Sequence, residues 1–443
     1  MNTSFALAGA ACGCGLLLSS LSVRAEDDAC LGRAEAVLAA LDAGEFEQAR
    51  ADFNPKMRDA LSAEQLGEIW QTLPRQVGER LSTGPARISA GTQGTNVVLP
   101  LQHAKAWLDL SVSCNPEGQL SGLWIRPGTA PAAAAIEPSE HWTERAITVT
   151  TGNIQLPGLL TLPRKAQPIA GVVLVHGSGS HDRDETIGPN KPFRDLAHGL
   201  AKQGIAVLRY DKRSQVNAAS FAGKPFTVKE EVIDDAVAAL ALLAARPELA
   251  ERPLFVLGHS LGAMLAPRIA AATPVAGMIL LAAPARGLTE IIPQQMTYIA
   301  QLDGNVSAEE EASMAQMQST LDQIDALTAG DRDDPKLLMG APAAYWLDLE
   351  AYQPITAAQE RQLPILLLQG ESDYQVTMTD DYRRWVDAFK GNPHFRSQSF
   401  PGLSHLFMPA GQAPGPADYA KASHVDAAVI KAVADWVQQQ ISN

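Results

Sequence analysis

Residues 253–270 read PLFVLGHSLGAMLAPRIA, and this stretch decides the fold. An apolar run suited to a buried strand ends in the sequence GHSLG at residues 258–262, and the apolar residues then recur with helical spacing. Glycines on both sides of Ser260 remove side chains that would clash in a sharp strand-to-helix turn, and such a turn lifts the serine oxygen clear of the backbone. We therefore predict that Ser260 is a nucleophile at the end of a strand.

Similar short apolar runs occur elsewhere in the chain, and segments long enough for helices separate them. Apolar runs without polar alternation are typical of parallel strands that are buried on both faces of a sheet, and helices of this length connect such strands. We predict an α/β fold with a doubly wound, mostly parallel sheet, whose reactive groups gather at the carboxyl ends of the strands. The runs read AGVVLVHG, IAVLRYD, GMILLAAP and PILLLQG, beginning at residues 170, 205, 277 and 364.

The alternation of strands and helices lapses within residues 285–355, where helical patterns follow one another and no strand intervenes. We interpret this insertion as a helical cap over the carboxyl edge of the sheet. The α/β unit that contains it is predicted to span residues 142–443 and to open with an antiparallel hairpin.

The chain before this unit has a different pattern. Residues 26–126 show helical periodicity first and then the period-two alternation of a four-stranded meander, which predicts a small α+β module. Residues 127–141 are rich in Pro, Ala and Gly and are interpreted as a linker.

Residues 1–25 are apolar, rich in small residues and followed by an acidic stretch, which is the layout of a secretory signal cleaved after Ala25. We predict a periplasmic or secreted protein, and an uncleaved anchor is the alternative. No later run reaches the roughly 18 apolar residues that span a bilayer, so no integral membrane span is predicted. Removal of the signal leaves Cys30 and Cys114, for which an exported chain predicts one disulfide, with two unpaired buried thiols as the alternative.

The composition excludes several classes of function. The formal net charge is -14, so a basic surface that follows a nucleic-acid backbone is not expected. The sequence contains no His or Cys cluster with metal-ligand spacing and no Gly-rich phosphate loop. We therefore predict neither a metal nor a cofactor.

A serine needs a base to become nucleophilic at neutral pH, and the base needs an acid to orient it. His405 is the best placed base, because it lies in a loop between the last predicted strand and the last helix. His424 falls inside that helix. Asp373 directly follows the strand PILLL and is the predicted acid, with Glu371 as its rival. The three residues follow one another in the chain as Ser, Asp and His, which is the order typical of hydrolases whose serine lies on a strand-to-helix turn.

Acyl transfer also requires N–H donors for the developing oxyanion. One is expected to be the amide of Leu261, directly after the nucleophile. The second is expected from the sequence HGSG that ends an earlier strand, with Ser178 favoured and Gly179 as its rival. An ordinary Gly-rich strand exit is the structural alternative.

Two charged stretches also follow strands. HDRDET at residues 181–186 and RYDKR at residues 209–213 are interpreted either as groups that orient a substrate or as ion pairs that support the loops.

Residues 142–443 resemble the α/β-hydrolase superfamily, in particular bacterial serine esterases, through VHGSG, DRDE, RYDKR, GHSLG and a final G-x-S-H. The resemblance implies hydrolysis of short- to medium-chain carboxylic esters through an acyl-enzyme, with a small-molecule acyl ester as the substrate. A peptidase or thioesterase with the same triad, and a non-catalytic binding protein on this scaffold, are the alternatives. The amino-terminal module resembles an uncharacterised module found before some of these enzymes. A folding aid, a contact that forms a homodimer and a wall of the substrate site are its candidate roles.

Overall fold

The computed structural model describes residues 15–84, 86–91, 94–103, 106–128, 139–221 and 223–442. Two compact units divide the chain, Met1–Ala134 and Ala135–Asn443. Most of the predicted signal segment, residues 1–14, and most of the predicted linker, residues 129–138, lie outside the described residues.

The amino-terminal unit has helices followed by an antiparallel sheet, as the change of periodicity predicts. Its strand order is β1-β3-β4-β5, and β2 also pairs with β3. The described residues hold five strands rather than the four expected. The additional strand is β1, which is only four residues long and lacks the alternation of burial that identifies a strand in a sequence. The elements are α1 Gly15–Asp42, α2 Phe46–Ala49, α3 Pro55–Ala60, α4 Ala63–Val77, β1 Arg80–Thr83, β2 Arg87–Gly91, β3 Gly94–His103, β4 Trp107–Cys114 and β5 Leu120–Pro127.

The core of this unit lies between α1 and one face of the sheet. Leu41 of α1 and Leu99 and Leu110 of the sheet are buried in one apolar cluster. The predicted disulfide is confirmed, because Cys30 of α1 and Cys114 of β4 are bonded across this core. The bridge joins the helix to the sheet at a sequence separation of 84 residues.

The second unit is built on a mostly parallel sheet of eight strands, which confirms the predicted fold class. The strand order is β15-β14-β11-β10-β8-β9-β7-β6, and an antiparallel hairpin, β6 with β7, forms one edge. The strands are β6 Trp142–Thr151, β7 Ile154–Pro163, β8 Ala170–Val175, β9 Ile205–Tyr210, β10 Leu254–His259, β11 Gly277–Leu281, β12 Leu337–Leu338, β13 Ala341–Pro342, β14 Ile365–Gly370 and β15 Phe395–Phe400.

Helices cover both faces of this sheet, so its central strands are buried on both sides. In β8, Val173 packs in the apolar cluster on one face, whereas Val172 packs in the cluster on the other. The helices are α5 Pro192–Lys202, α6 Arg213–Val216, α7 Asp234–Ala244, α8 Leu261–Ala272, α9 Leu288–Ala300, α10 Ala308–Asp325, α11 Ala343–Glu350, α12 Pro354–Arg361, α13 Arg383–Ala388, α14 Pro416–Tyr419 and α15 Ala427–Ser442.

The insertion between β11 and β14 consists mainly of the helices α9 to α12. It also contains a small hairpin, because β12 and β13 pair antiparallel, and the sequence pattern does not reveal strands of two residues. Within the described part of the chain, every helix falls short of the length and hydropathy that crossing a membrane requires.

Candidate active site

Ser260 occupies a strained turn between β10 and α8. Its φ of 53° and ψ of -119° lie in a region that residues with a side chain rarely adopt. Two backbone hydrogen bonds hold it there, because its N–H donates to the carbonyl of Leu281 and its own carbonyl accepts from Met264. The side chain is half-buried. The turn is thus built around the predicted nucleophile.

The two glycines of GHSLG allow the backbones around this turn to approach closely. A Cβ at Gly258 would lie 2.2 Å from the carbonyl oxygen of Gly262, and a Cβ at Gly262 would lie 2.2 Å from the carbonyl oxygen of Val175. Both distances are far shorter than a carbon can tolerate, so α8 begins against two neighbouring strands only because side chains are absent at these positions.

The structure brings Asp373 and His405 into direct contact. Nδ1 of His405 lies 2.7 Å from Oδ2 of Asp373, and both side chains are buried. The carboxylate also accepts hydrogen bonds from the amides of Gln375 and Val376 and from the side chain of Gln369. These donors fix the carboxylate, and the Nδ1 contact leaves Nε2 as the ring nitrogen of His405 that faces away from Asp373.

The rival residues lie elsewhere. Glu371 is exposed and accepts a hydrogen bond from Ser399 rather than from a histidine. His424 lies before α15, not inside the last helix as predicted, and it is exposed and pairs with Asp195. Of the two predicted acids, Asp373 contacts His405 and Glu371 contacts Ser399.

The loop that carries His405 packs against the turn that carries Ser260. Nε2 of His259 lies 3.0 Å from the carbonyl oxygen of His405, and the centroids of the two rings are 4.6 Å apart. Ser260, Asp373 and His405 follow β10, β14 and β15, so all three stand at the carboxyl edge of the sheet.

The HGSG loop also lies beside Ser260, since a Cβ at Gly177 would be 3.2 Å from the Cβ of Ser260. The amide of Gly177 donates to Oε1 of Glu185 at 2.7 Å, so this N–H is already engaged. The ring of His181 contacts the carbonyl oxygen of Ser178 at 2.7 Å, and Gly179 has a φ of 90° that favours glycine.

Glu185 forms a buried ion pair with His259 that sequence reasoning missed. Oε2 of Glu185 lies 2.9 Å from Nδ1 of His259. Burial raises the pKa of Glu185, but the neighbouring imidazoles, His259 first and then His181 and His176, together outweigh burial and the pKa falls to about 2. Burial lowers the pKa of His259, but Glu185 outweighs it and the net direction is upward. The two residues belong to different motifs, and no local pattern links them.

The two charged stretches form ion pairs with each other and with neighbouring helices, which is the second of the two interpretations. Arg183 binds Asp211 through two hydrogen bonds of 2.7 and 2.8 Å, and Arg209 contacts Asp184 at 2.8 Å. Lys212 lies 3.0 Å from a carboxylate oxygen of Glu231. No group of three or more His, Cys, Asp or Glu residues that could hold a metal ion occurs among the residues that the structure describes.

Comparisons with known proteins agree with this architecture. The family model described as serine aminopeptidase, S33, matches residues 166–409, and a family described as a protein of unknown function (DUF3887) matches residues 34–123. Esterase EstD of Thermotoga maritima is 35% identical over 397 residues, which cover 88% of this chain and 91% of that protein.

Solved structures give weaker similarities. Est1E from Butyrivibrio proteoclasticus is 15% identical, with a TM-score of 0.42 and coverage of 67% of this chain and 99% of that chain. Dienelactone hydrolase from Anabaena variabilis is 18% identical, with a TM-score of 0.39 and coverage of 68% and 99%.

Proposed function

The chain belongs to the serine aminopeptidase S33 family of α/β-hydrolases and is a hydrolytic enzyme, and from this premise we propose that it cleaves short- to medium-chain carboxylic esters with a Ser260-His405-Asp373 triad. The contact of 2.7 Å between His405 and Asp373, at the edge where Ser260 ends its strand, carries this proposal. The identity of 35% with a protein named an esterase supports ester hydrolysis.

In this mechanism, Nε2 of His405 takes the hydroxyl proton of Ser260 while Oγ attacks the ester carbonyl carbon. Asp373 holds the imidazole in the required orientation and stabilises its positive charge. The tetrahedral intermediate then expels the alcohol, to which His405 returns the proton. Water, deprotonated by the same nitrogen, attacks the acyl-enzyme and releases the acid and the free serine.

The oxyanion of both tetrahedral intermediates needs N–H donors. We assign these to the amides of Leu261, the first residue of α8, and Ser178. The engagement of the Gly177 amide by Glu185 supports a donor later in the loop, and Gly179 stays the alternative to Ser178.

Export to the periplasm or the medium is also part of the proposal. The disulfide between Cys30 and Cys114 supports it, because such bonds form and persist in oxidising compartments. Assembly as a homodimer stays a prediction, and sedimentation of the purified protein measures it.

The proposal predicts that substitution of each triad member abolishes ester hydrolysis. Removal of Ser260, His405 or Asp373 from such a triad lowers kcat by roughly 10⁴-fold or more. The hydrolysis rates of Ser260→Ala, His405→Gln and Asp373→Asn are measured with nitrophenyl esters of graded acyl length. The same series of esters gives the chain length that the native protein prefers. A fluorophosphonate should label Ser260 in the native protein.

Two variants serve as matched controls for this experiment. His424→Gln and Glu371→Gln change the same residue types outside the proposed triad and should retain nearly full activity. Failure of the fluorophosphonate to label Ser260 would refute the enzyme mechanism. The description of the family as aminopeptidases favours one second candidate, a peptidase with the same triad, and parallel assays of an aminoacyl anilide and a thioester compare these activities with ester hydrolysis.

A further inference from the structure

Lys212 lies outside the proposed triad but holds the loop on both sides of Ser178. Its Nζ donates to the carbonyl oxygens of Gly177 and Gly179, each at 2.9 Å. Only 2% of the residue is exposed, so water does not compete for these hydrogen bonds.

These contacts determine where the amide of Ser178 points. In a trans peptide the carbonyl and the N–H of the same unit point in opposite directions. An ammonium that holds the carbonyl of Gly177 therefore turns the N–H of Ser178 away from Lys212. The loop needs such a restraint because its two glycines have wide conformational freedom.

A second layer holds the lysine itself. Oε1 of Glu231 lies 3.0 Å from Nζ, and Oε2 of Glu231 accepts a hydrogen bond of 2.9 Å from the hydroxyl of Tyr345. Tyr345 lies on α11, within the insertion between β11 and β14. Glu231 and Tyr345 are both buried, so the carboxylate neutralises the lysine and fixes its position.

We propose that Lys212 is a positioning residue for the oxyanion site, acting through the carbonyls of Gly177 and Gly179 and oriented by Glu231 and Tyr345. This inference rests on the proposed function, which assigns the amide of Ser178 as a donor. The proposal goes beyond the triad. It assigns the buried pair of Lys212 and Glu231 a role in stabilising the transition state, in addition to a role in the stability of the fold.

The chain contains a matched control for this ion pair. Arg213 follows Lys212 directly, and Asp235 lies one helical turn after Glu231. Arg213 and Asp235 are also a buried cation and carboxylate, with Nε 2.9 Å from Oδ2. The Arg213 guanidinium donates hydrogen bonds to Asp235. Lys212, in contrast, contacts its carboxylate partner and also donates to the carbonyl oxygens of the HGSG loop.

The experiment compares Lys212→Met, the double variant Lys212→Met/Glu231→Gln and the control Arg213→Met/Asp235→Asn in the full-length protein. Lys212→Met alone leaves a buried carboxylate unpaired, so its stability is expected to fall. The double variant removes both charges and should regain stability, while the amide oxygen introduced at position 231 still accepts from Tyr345. We expect both Lys212 variants to lose about tenfold to hundredfold in kcat with little change in KM, because a misplaced donor acts on the transition state.

The control Arg213→Met/Asp235→Asn should change the stability of the protein about as much as the double variant Lys212→Met/Glu231→Gln does. Its kcat should stay within about threefold of the native value. Recovery of kcat in the Lys212→Met/Glu231→Gln variant would overturn the proposal, as would an equal loss of kcat in the control. If the native protein cleaves no ester, the proposed function fails separately. The rate at which a fluorophosphonate labels Ser260 in the same variants then tests the positioning role, since that reaction also develops charge on oxygen.

Discussion

His259 links three parts of the candidate site through one buried ring. Nδ1 contacts Glu185, Nε2 contacts the carbonyl of His405, and the next residue is Ser260. Glu185 in turn accepts the amide of Gly177. His259 therefore connects the turn that carries Ser260 to the loop that carries His405 and, through Glu185, to the HGSG loop.

This ion pair predicts a particular dependence of stability on pH. The pKa of Glu185 is lowered from 4.5 to about 2, so its contribution is complete above pH 4.5 and is lost as the pH falls through the folded value. The pKa of His259 is raised, so its contribution is complete below its unfolded pKa and is lost as the pH rises through the folded value.

We therefore expect Glu185→Gln to destabilise the protein most near pH 5 to 6 and less at both extremes. Urea unfolding between pH 3 and 9 measures the difference from the native protein. A double-mutant cycle with His259→Gln isolates the coupling of the two residues. A difference that does not vary with pH would show that the two side chains do not form a charged pair.

At the scale of elements, the site depends on how closely α8 approaches the strands β8 and β10. The close contacts at Gly258 and Gly262 involve backbone atoms, which cannot rotate away as a side chain can. The first turn of α8 also supplies the amide of Leu261 and the positive end of the helix dipole. The position of α8 therefore fixes the position of the proposed oxyanion donor.

Gly262→Ala should consequently push α8 away from β8. Overpacking of this kind costs about 1–3 kcal/mol, and kcat should fall because the Leu261 amide moves with the helix. Gly330→Ala is the control, because among the described residues only a side-chain oxygen of Thr328, 3.5 Å away, lies near its added carbon. Thermal unfolding and ester hydrolysis measure both variants, and normal activity in Gly262→Ala would contradict the role given to this packing.

At the scale of the whole molecule, the two compact units differ in what stabilises them. The second unit buries a large sheet between two helical layers, whereas the amino-terminal unit has a smaller core and a covalent bridge across it. Small units gain more from such a bridge, because they bury a smaller fraction of their surface.

Cys30→Ser/Cys114→Ser should therefore destabilise the amino-terminal unit. A bridge that closes a loop of this length, with a sequence separation of 84, contributes about 4–5 kcal/mol in the chain-entropy account. Hydrogen exchange of the β3 and β4 amides should become faster in the variant. Reductant should accelerate exchange in the native protein and leave the variant unchanged. Equal exchange rates in the two proteins would contradict the prediction.

Local patterns in the sequence determined much of this protein. Residue types at short spacing predict the buried strands and the turn around Ser260. The number of cysteines left after removal of the signal predicts the disulfide partners. The fold class and the choice of Ser260, Asp373 and His405 as candidates are therefore readable from the sequence. The short strands β1, β12 and β13 are not, because two to four residues carry too little periodicity.

Only the tertiary structure decided which charged groups meet. It places Asp373 rather than Glu371 against His405, pairs Glu185 with His259, and aims Lys212 at two loop carbonyls. The physical reason is that hydrophobic periodicity reports which face of an element is buried. The pairing of buried charges instead depends on loops from distant parts of the chain arriving within about 3 Å of one another.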